Sequence, residues 1–166
     1  RSGFAERALA GGTEATHMRS SYRAWDSIRV VSRDACRPFC NTRSGIVLGE
    51  GSGMYVLEEY EAAKARGAPI LAEIAGMGMT SDATDIVAPS QKWVSKAVER
   101  CLVEAKLNPE DVQYINAHGT GTKLNDLCET NAINTVFGDH AKQLKVSSTK
   151  PIHGHTLGAA AGIEIA

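Results

Sequence analysis

Two histidines stand out as groups that could move protons near neutral pH, because each lies in a glycine-flanked loop after a short apolar segment. They are His118 in Asn116-Ala117-His118-Gly119-Thr120 and His155 in His153-Gly154-His155. A glycine beside an imidazole lets backbone and ligand approach closely, and neutral imidazole both donates and accepts hydrogen bonds. The same residues could serve only to tie down neighbouring carbonyls. His153 and His155 could also form half of a metal site, although no carboxylate or cysteine stands at a ligand spacing beside them. A lysine such as Lys150 is a solvated amine unless it lies in a pocket. There it needs a carboxylate partner, and Glu164 and Glu129 are the nearest candidates. Thr120 and Thr122 could offer hydroxyls to an amide-rich ligand or start the next helix. Asn125, Asp126 and Glu129 fit a helix N-terminus, where acidic residues meet the positive end of the helix dipole.

The elements that must position these groups alternate. Trp93, Ala97, Val98, Cys101, Leu102 and Ala105 recur at three and four residues and predict an amphipathic helix over 90–106, stopped by Asn108-Pro109. Leu124, Cys128, Ala132 and Val136 predict a second helix that ends before Gly138. Short strands are expected at 112–117 and 144–147, so His118 and the Ser147–Lys150 run each follow a strand end, where loops of parallel sheets gather reactive groups. Upstream, Ala8-Leu9-Ala10 predicts a short buried strand entering a turn at Gly11-Gly12. Ile46–Leu48 and Met54–Leu57 predict a hairpin across Gly49–Gly53. Helices are further expected around 22–30, over 58–66 and from Thr156 onward, with a strand over 70–79. This order argues for an α/β architecture with at least part of a parallel sheet covered by helices.

Composition removes several function classes. The 166 residues carry 18 Lys and Arg against 19 Asp and Glu, a net charge of -1 that attracts neither nucleic acid nor anionic lipid. The longest weakly polar run, Ile46 to Leu57, is broken by Glu50 and falls far short of the roughly 20 residues of a membrane span. Four cysteines (Cys36, Cys40, Cys101 and Cys128) are too few for a disulfide scaffold. Without a secretory segment they suit reduced thiols in a cytoplasm. The chain starts at Arg1 and stops within the apolar run Leu157–Ala166, so both ends are expected to be cut ends of a longer protein.

Four strings in one order carry a family resemblance. Ala10-Gly11-Gly12-Thr13-Glu14-Ala15, Gly49-Glu50-Gly51-Ser52-Gly53, Asn116 through Thr122, and Ser147-Ser148-Thr149-Lys150 through Gly154-His155 together resemble the β-ketoacyl-[acyl-carrier-protein] synthases. Lys150 five residues before His155 and Glu164 nine after it belong to the same pattern. The variety is similar to the elongating type of bacterial fatty-acid synthesis, and the 24–31 segment is similar to the nodulation-type branch. The resemblance implies a partial thiolase-like α/β fold, a mixed sheet covered by helices. Residues 1–44 would end the N-terminal half and residues 45–166 would form a truncated C-terminal domain.

The implied activity is decarboxylative Claisen condensation of a malonyl-carrier thioester with an acyl-enzyme. His118 and His155 would flank the thioester carbonyl, Lys150 would pair with Glu164, and Thr120 and Thr122 would bind the phosphopantetheine arm. Gly49 and Gly51 would serve folding. The implied partners are acyl carrier protein, acyl and malonyl thioesters and a second copy of the full-length protein, with no cofactor or metal. The family's nucleophilic cysteine stands in an Ala-Cys-Ser or Ala-Cys-Ala turn upstream of the Gly-Gly-x-Glu-Ala string. None of the four cysteines has that context, and Asp34-Ala35-Cys36 lies after the string. The fragment alone is therefore expected to be inactive. Three other readings are a non-catalytic chain-length-factor-like or degenerate subunit, a coenzyme-A thiolase relative, and a His-Gly-His metalloenzyme.

Overall fold

A computed structural model describes residues 3–166. Strand β1 (Arg7–Glu14) pairs antiparallel with β2 (Gly51–Glu58), with Gly12 opposite Gly53. Helix α1 (Arg19–Ser27) and the irregular 28–50 segment connect them, and helix α2 (Tyr60–Ala65) follows. Helix α3 (Gln91–Ala105) leads to β3 (Tyr114–Asn116), α4 (Lys123–Phe137), β4 (Lys145–Ser147), the short α5 (Lys150–His153) and α6 (Ala160–Glu164). Strands β3 and β4 run parallel, and α4 between them packs on α3. This β3–α4–β4 crossover is the α/β unit the periodicity predicts. Its apolar side, Ala117, Cys128, Ala132, Phe137 and Leu144, is buried.

Three expected strands come out differently, and each difference has a non-local cause. The run at Ala8–Ala10 is neither buried nor ended by Gly11-Gly12; β1 continues to Glu14, and Leu9 is exposed. Glycine is needed there for close approach rather than for a turn. A β-carbon on Gly12 would lie 2.2 Å from the Gly158 carbonyl oxygen, and one on Gly53 would lie 2.1 Å from that of Gly162. The glycine-bearing sheet face thus seats α6 against bare backbone, and the Tyr55 hydroxyl donates to Gly162 O at 2.6 Å.

The expected hairpin is absent. Val47 and Gly49 instead exchange backbone hydrogen bonds with His155, and Ile46 bridges Val31. The β1–β2 ladder also joins residues on both sides of the expected division after residue 44. Residues 70–79 form no strand, because no partner strand lies beside them among the described residues. Gly76 and Gly78 lie against the backbone of α3. No helix among the described residues is long and apolar enough to cross a membrane.

Candidate active site

The site is assembled from three backbone segments. His118 follows β3, whose ladder is extended by Ala117 N donating to Ser147 O at 2.8 Å. His155 follows α5, where Gly154 (φ 72°) turns the chain. A β-carbon at Gly154 would lie 3.0 Å from Gly49 N, Leu48 O and Val47 O, so the left-handed turn and the close approach both require glycine. His155 N then donates to Val47 O at 2.6 Å and Gly49 N to His155 O at 3.0 Å, which locks the histidine to the 46–49 segment. The two imidazoles meet edge to face, with ring centroids 5.2 Å apart.

Lys150 joins them from below and is fully buried. Its ammonium has three N–H donors and meets three acceptors: the Glu164 carboxylate at 2.5 Å, the His118 carbonyl at 2.6 Å and His118 Nδ1 at 3.4 Å. Of the two carboxylates the sequence offered, Glu164 is the partner, and it is carried on α6 by the glycine contacts described above. Asn116 supports this placement by donating Nδ2–H to the Glu164 carbonyl at 2.8 Å. Glu129 has a different task. Its two oxygens accept the backbone N–H groups of His118 and Gly119 at 2.6 and 2.8 Å.

These contacts fix the tautomers. The ammonium donates to His118 Nδ1, and the backbone N–H of Leu157 donates to His155 Nδ1 at 3.2 Å. In both neutral rings the proton therefore resides on Nε2, so the pair presents two N–H donors. Electrostatics keep the rings neutral. Although His118 retains an open face, burial of its ring and the nearby Lys150 ammonium lower its pKa. His155 is lowered from 6.5 to about 4, first by burial and then by His118 and Lys150.

The sign follows directly. Between pH 6.5 and about 4 the unfolded chain binds a proton that folded His155 refuses, so stability is complete above 6.5 and declines as the pH falls towards 4. The expected result is a thermal midpoint that drops across this window in the parent chain. His155→Ala is expected to drop less steeply.

The other residues singled out from the sequence occupy varied positions. Thr120 is buried, and its hydroxyl lies 2.9 Å from that of Thr122, which opens α4 and is half-buried. Asp126 is almost fully buried in the first turn of α4, where it accepts from Gly121 N and from Phe39 N. His153 bonds the Thr149 hydroxyl at 2.8 Å, and no cluster of three or more metal-ligating side chains occurs among the described residues. The carbonyl-tying role considered for the loop histidines belongs to His140, which bonds Val112 O at 2.8 Å. The Cys36 thiol is buried against Thr120 O, and burial pushes its pKa up, away from a reactive thiolate. By sequence, Asp126 and Glu129 fit a helix end. Their capture of loop N–H groups 5–11 residues upstream in α4's approach, and of Phe39 87 residues away, has no spacing signature.

Comparison with known proteins supplies the family. The family model of the β-ketoacyl synthase N-terminal domain matches residues 1–63, and that of the C-terminal domain matches residues 71–166. Nodulation protein E of Rhizobium leguminosarum bv. trifolii is 54% identical over 165 residues, covering 99% of this chain and 41% of the relative. The 3-oxoacyl-[acyl-carrier-protein] synthase 2 of Staphylococcus aureus is 47% identical over 169 residues, covering 98% and 42%. Among solved structures, the AntDE:AntF complex pairs a type II PKS acyl-carrier protein with its ketosynthase bound to the hexaketide. It superposes with a TM-score of 0.94 at 37% identity, covering 98% of this chain and 42% of that one. The chain thus spans about two-fifths of the length of the curated relatives it matches. With two ketosynthase domain models matched in order and a thiolase-like fold shared with solved ketosynthases, this chain belongs to the β-ketoacyl synthase family.

Proposed function

We propose that this chain supplies the histidine pair of a β-ketoacyl-[acyl-carrier-protein] synthase, an acyltransferase of fatty-acid or related acyl-chain biosynthesis. One observation carries the reading: His118 and His155 are held neutral, each with Nδ1 occupied and its Nε2–H free to donate. Two such donors can receive the thioester oxygen of a malonyl group on its carrier. As the C–C bond to the carboxylate breaks, carbon dioxide leaves and the electron pair passes into an enolate whose oxygen both imidazoles stabilise. The enolate carbon then attacks an acyl-cysteine thioester, forming the new C–C bond and expelling the cysteine thiolate. Neutral imidazoles suit this step, because the charge to be stabilised develops only in the transition state. Lys150 and Glu164 act as positioning residues, and the phosphopantetheine arm is assigned to the Thr120 and Thr122 hydroxyls, which lie 2.9 Å apart before α4. The acyl carrier protein and a second copy of the full-length protein are the proposed partners.

The test is complementation. The chain combined with the N-terminal portion of a curated relative is expected to form β-ketoacyl product from acyl- and malonyl-carrier thioesters, and the chain alone is expected to form none. Product from the isolated chain, or none from the complemented one despite a folded complex, contradicts the proposal. A subunit that only shapes a partner's pocket would give no product and would tolerate loss of both histidines.

A further inference from the structure

Phe39 is a non-glycine residue in the left-handed region, with φ at 60°. That backbone costs about 1 kcal/mol or more for a residue with a β-carbon, so it persists only where the surroundings enforce it. Here they do. The Phe39 N–H donates at 2.7 Å to Asp126, a carboxylate only 1% exposed. The loop on either side is tied to the segment after His118 by Cys36 Sγ–H donating to Thr120 O at 3.5 Å and Gly45 N to Gly121 O at 3.0 Å.

The enforced conformation presents the phenyl ring to Gly119. A β-carbon built at Gly119 would lie 2.9 Å from Phe39 Cε2 and 2.5 Å from Ser148 Cβ, so both side chains crowd the space a side chain would need there. Gly119 is also fixed through the peptides on both sides of its α-carbon: its N–H is held by Glu129 and its carbonyl accepts from the Ser148 hydroxyl at 2.8 Å. Glu129 and Ser148 thus restrain the two polar groups that flank the α-carbon, and the phenyl ring and the Ser148 side chain fill the space where a β-carbon would stand. Without the ring, the Gly119 α-carbon could shift between the Glu129 and Ser148 hydrogen bonds on either side of it and turn the preceding His118 imidazole with it.

We infer that Phe39 is a positioning residue whose ring, packed with the Ser148 side chain against Gly119, sets the aim of His118 towards the thioester. The inference rests on the function proposed above. Phe39→Gly deletes the ring while tolerating the left-handed backbone, and Phe39→Tyr keeps the ring.

In the complemented chain, Phe39→Gly is expected to lower kcat for carbon dioxide release from malonyl-carrier thioester about tenfold, since small misplacements of a reacting group are costly. KM is expected to stay within about twofold, and Phe39→Tyr to return kcat to within about twofold of the parent, since the ring it keeps supplies the alignment. If Phe39→Gly does not fold, Phe39→Asn, which also tolerates the left-handed backbone, answers the same question. A folded ring-less variant with parental kcat, while His118→Ala has lost release, overturns the role of Phe39 and leaves the proposed function standing. Parental release in His118→Ala overturns the proposed function itself.

Discussion

His118→Ala and His155→Ala in the complemented chain are each expected to reduce β-ketoacyl product by at least about a hundredfold, the usual cost of losing one preorganised donor to an oxyanion. The reasoning is geometric. Each ring has its Nδ1 engaged, by Lys150 in one case and Leu157 N in the other, so neither can substitute for its neighbour by flipping its proton. The rings sit 5.2 Å apart, close enough to share one oxygen between two Nε2–H groups. Product assays under saturating thioester check this, and a variant retaining more than half of the parental rate would remove that histidine from the mechanism.

Lys150→Ala is expected to be the most destabilising single change in the site. It deletes a fully buried ammonium and strands three acceptors, the Glu164 carboxylate, the His118 carbonyl and His118 Nδ1. Breaking one side of a buried ion pair costs about 3–5 kcal/mol. At roughly 2–4 °C per kcal/mol for a chain of this size, that corresponds to a fall of about 10 °C in thermal midpoint. Glu164→Gln keeps an acceptor oxygen for the same ammonium and is expected to fall by clearly less. Calorimetry on both variants decides the point, and equal midpoints would mean that the carboxylate charge, rather than the buried network, carries the stability. Carbon dioxide release should also fall in Lys150→Ala, because the proton of His118 is then free to occupy either nitrogen.

Helical periodicity and local stop signals made α3 and α4 legible before the structure, and Gly138 indeed follows the last residue of α4. The Gly11-Gly12 and Gly49–Gly53 segments give a misleading local signal, because Gly12, Gly49 and Gly53 answer to the carbonyls of Gly158, His153 and Gly162, more than 100 residues away. The 70–79 run alternates like a strand but lies along α3, so local pattern alone could not assign it. In the site, His118, His155, Lys150 and Glu164 were readable from motif order. The tautomers were not, since they depend on Lys150 Nζ and Leu157 N reaching particular ring nitrogens. Asn116 and Phe39 were also missed as supports, because a side chain that holds a distant backbone group leaves no periodic trace.

The most direct measurement is carbon dioxide release from carboxyl-labelled malonyl-carrier thioester at neutral pH, followed separately from condensation. It compares the parent complemented chain with His118→Ala and His155→Ala. If the pair stabilises the enolate, release disappears in both variants together with condensation. Release at the parental rate in both, with only condensation lost, would contradict the account.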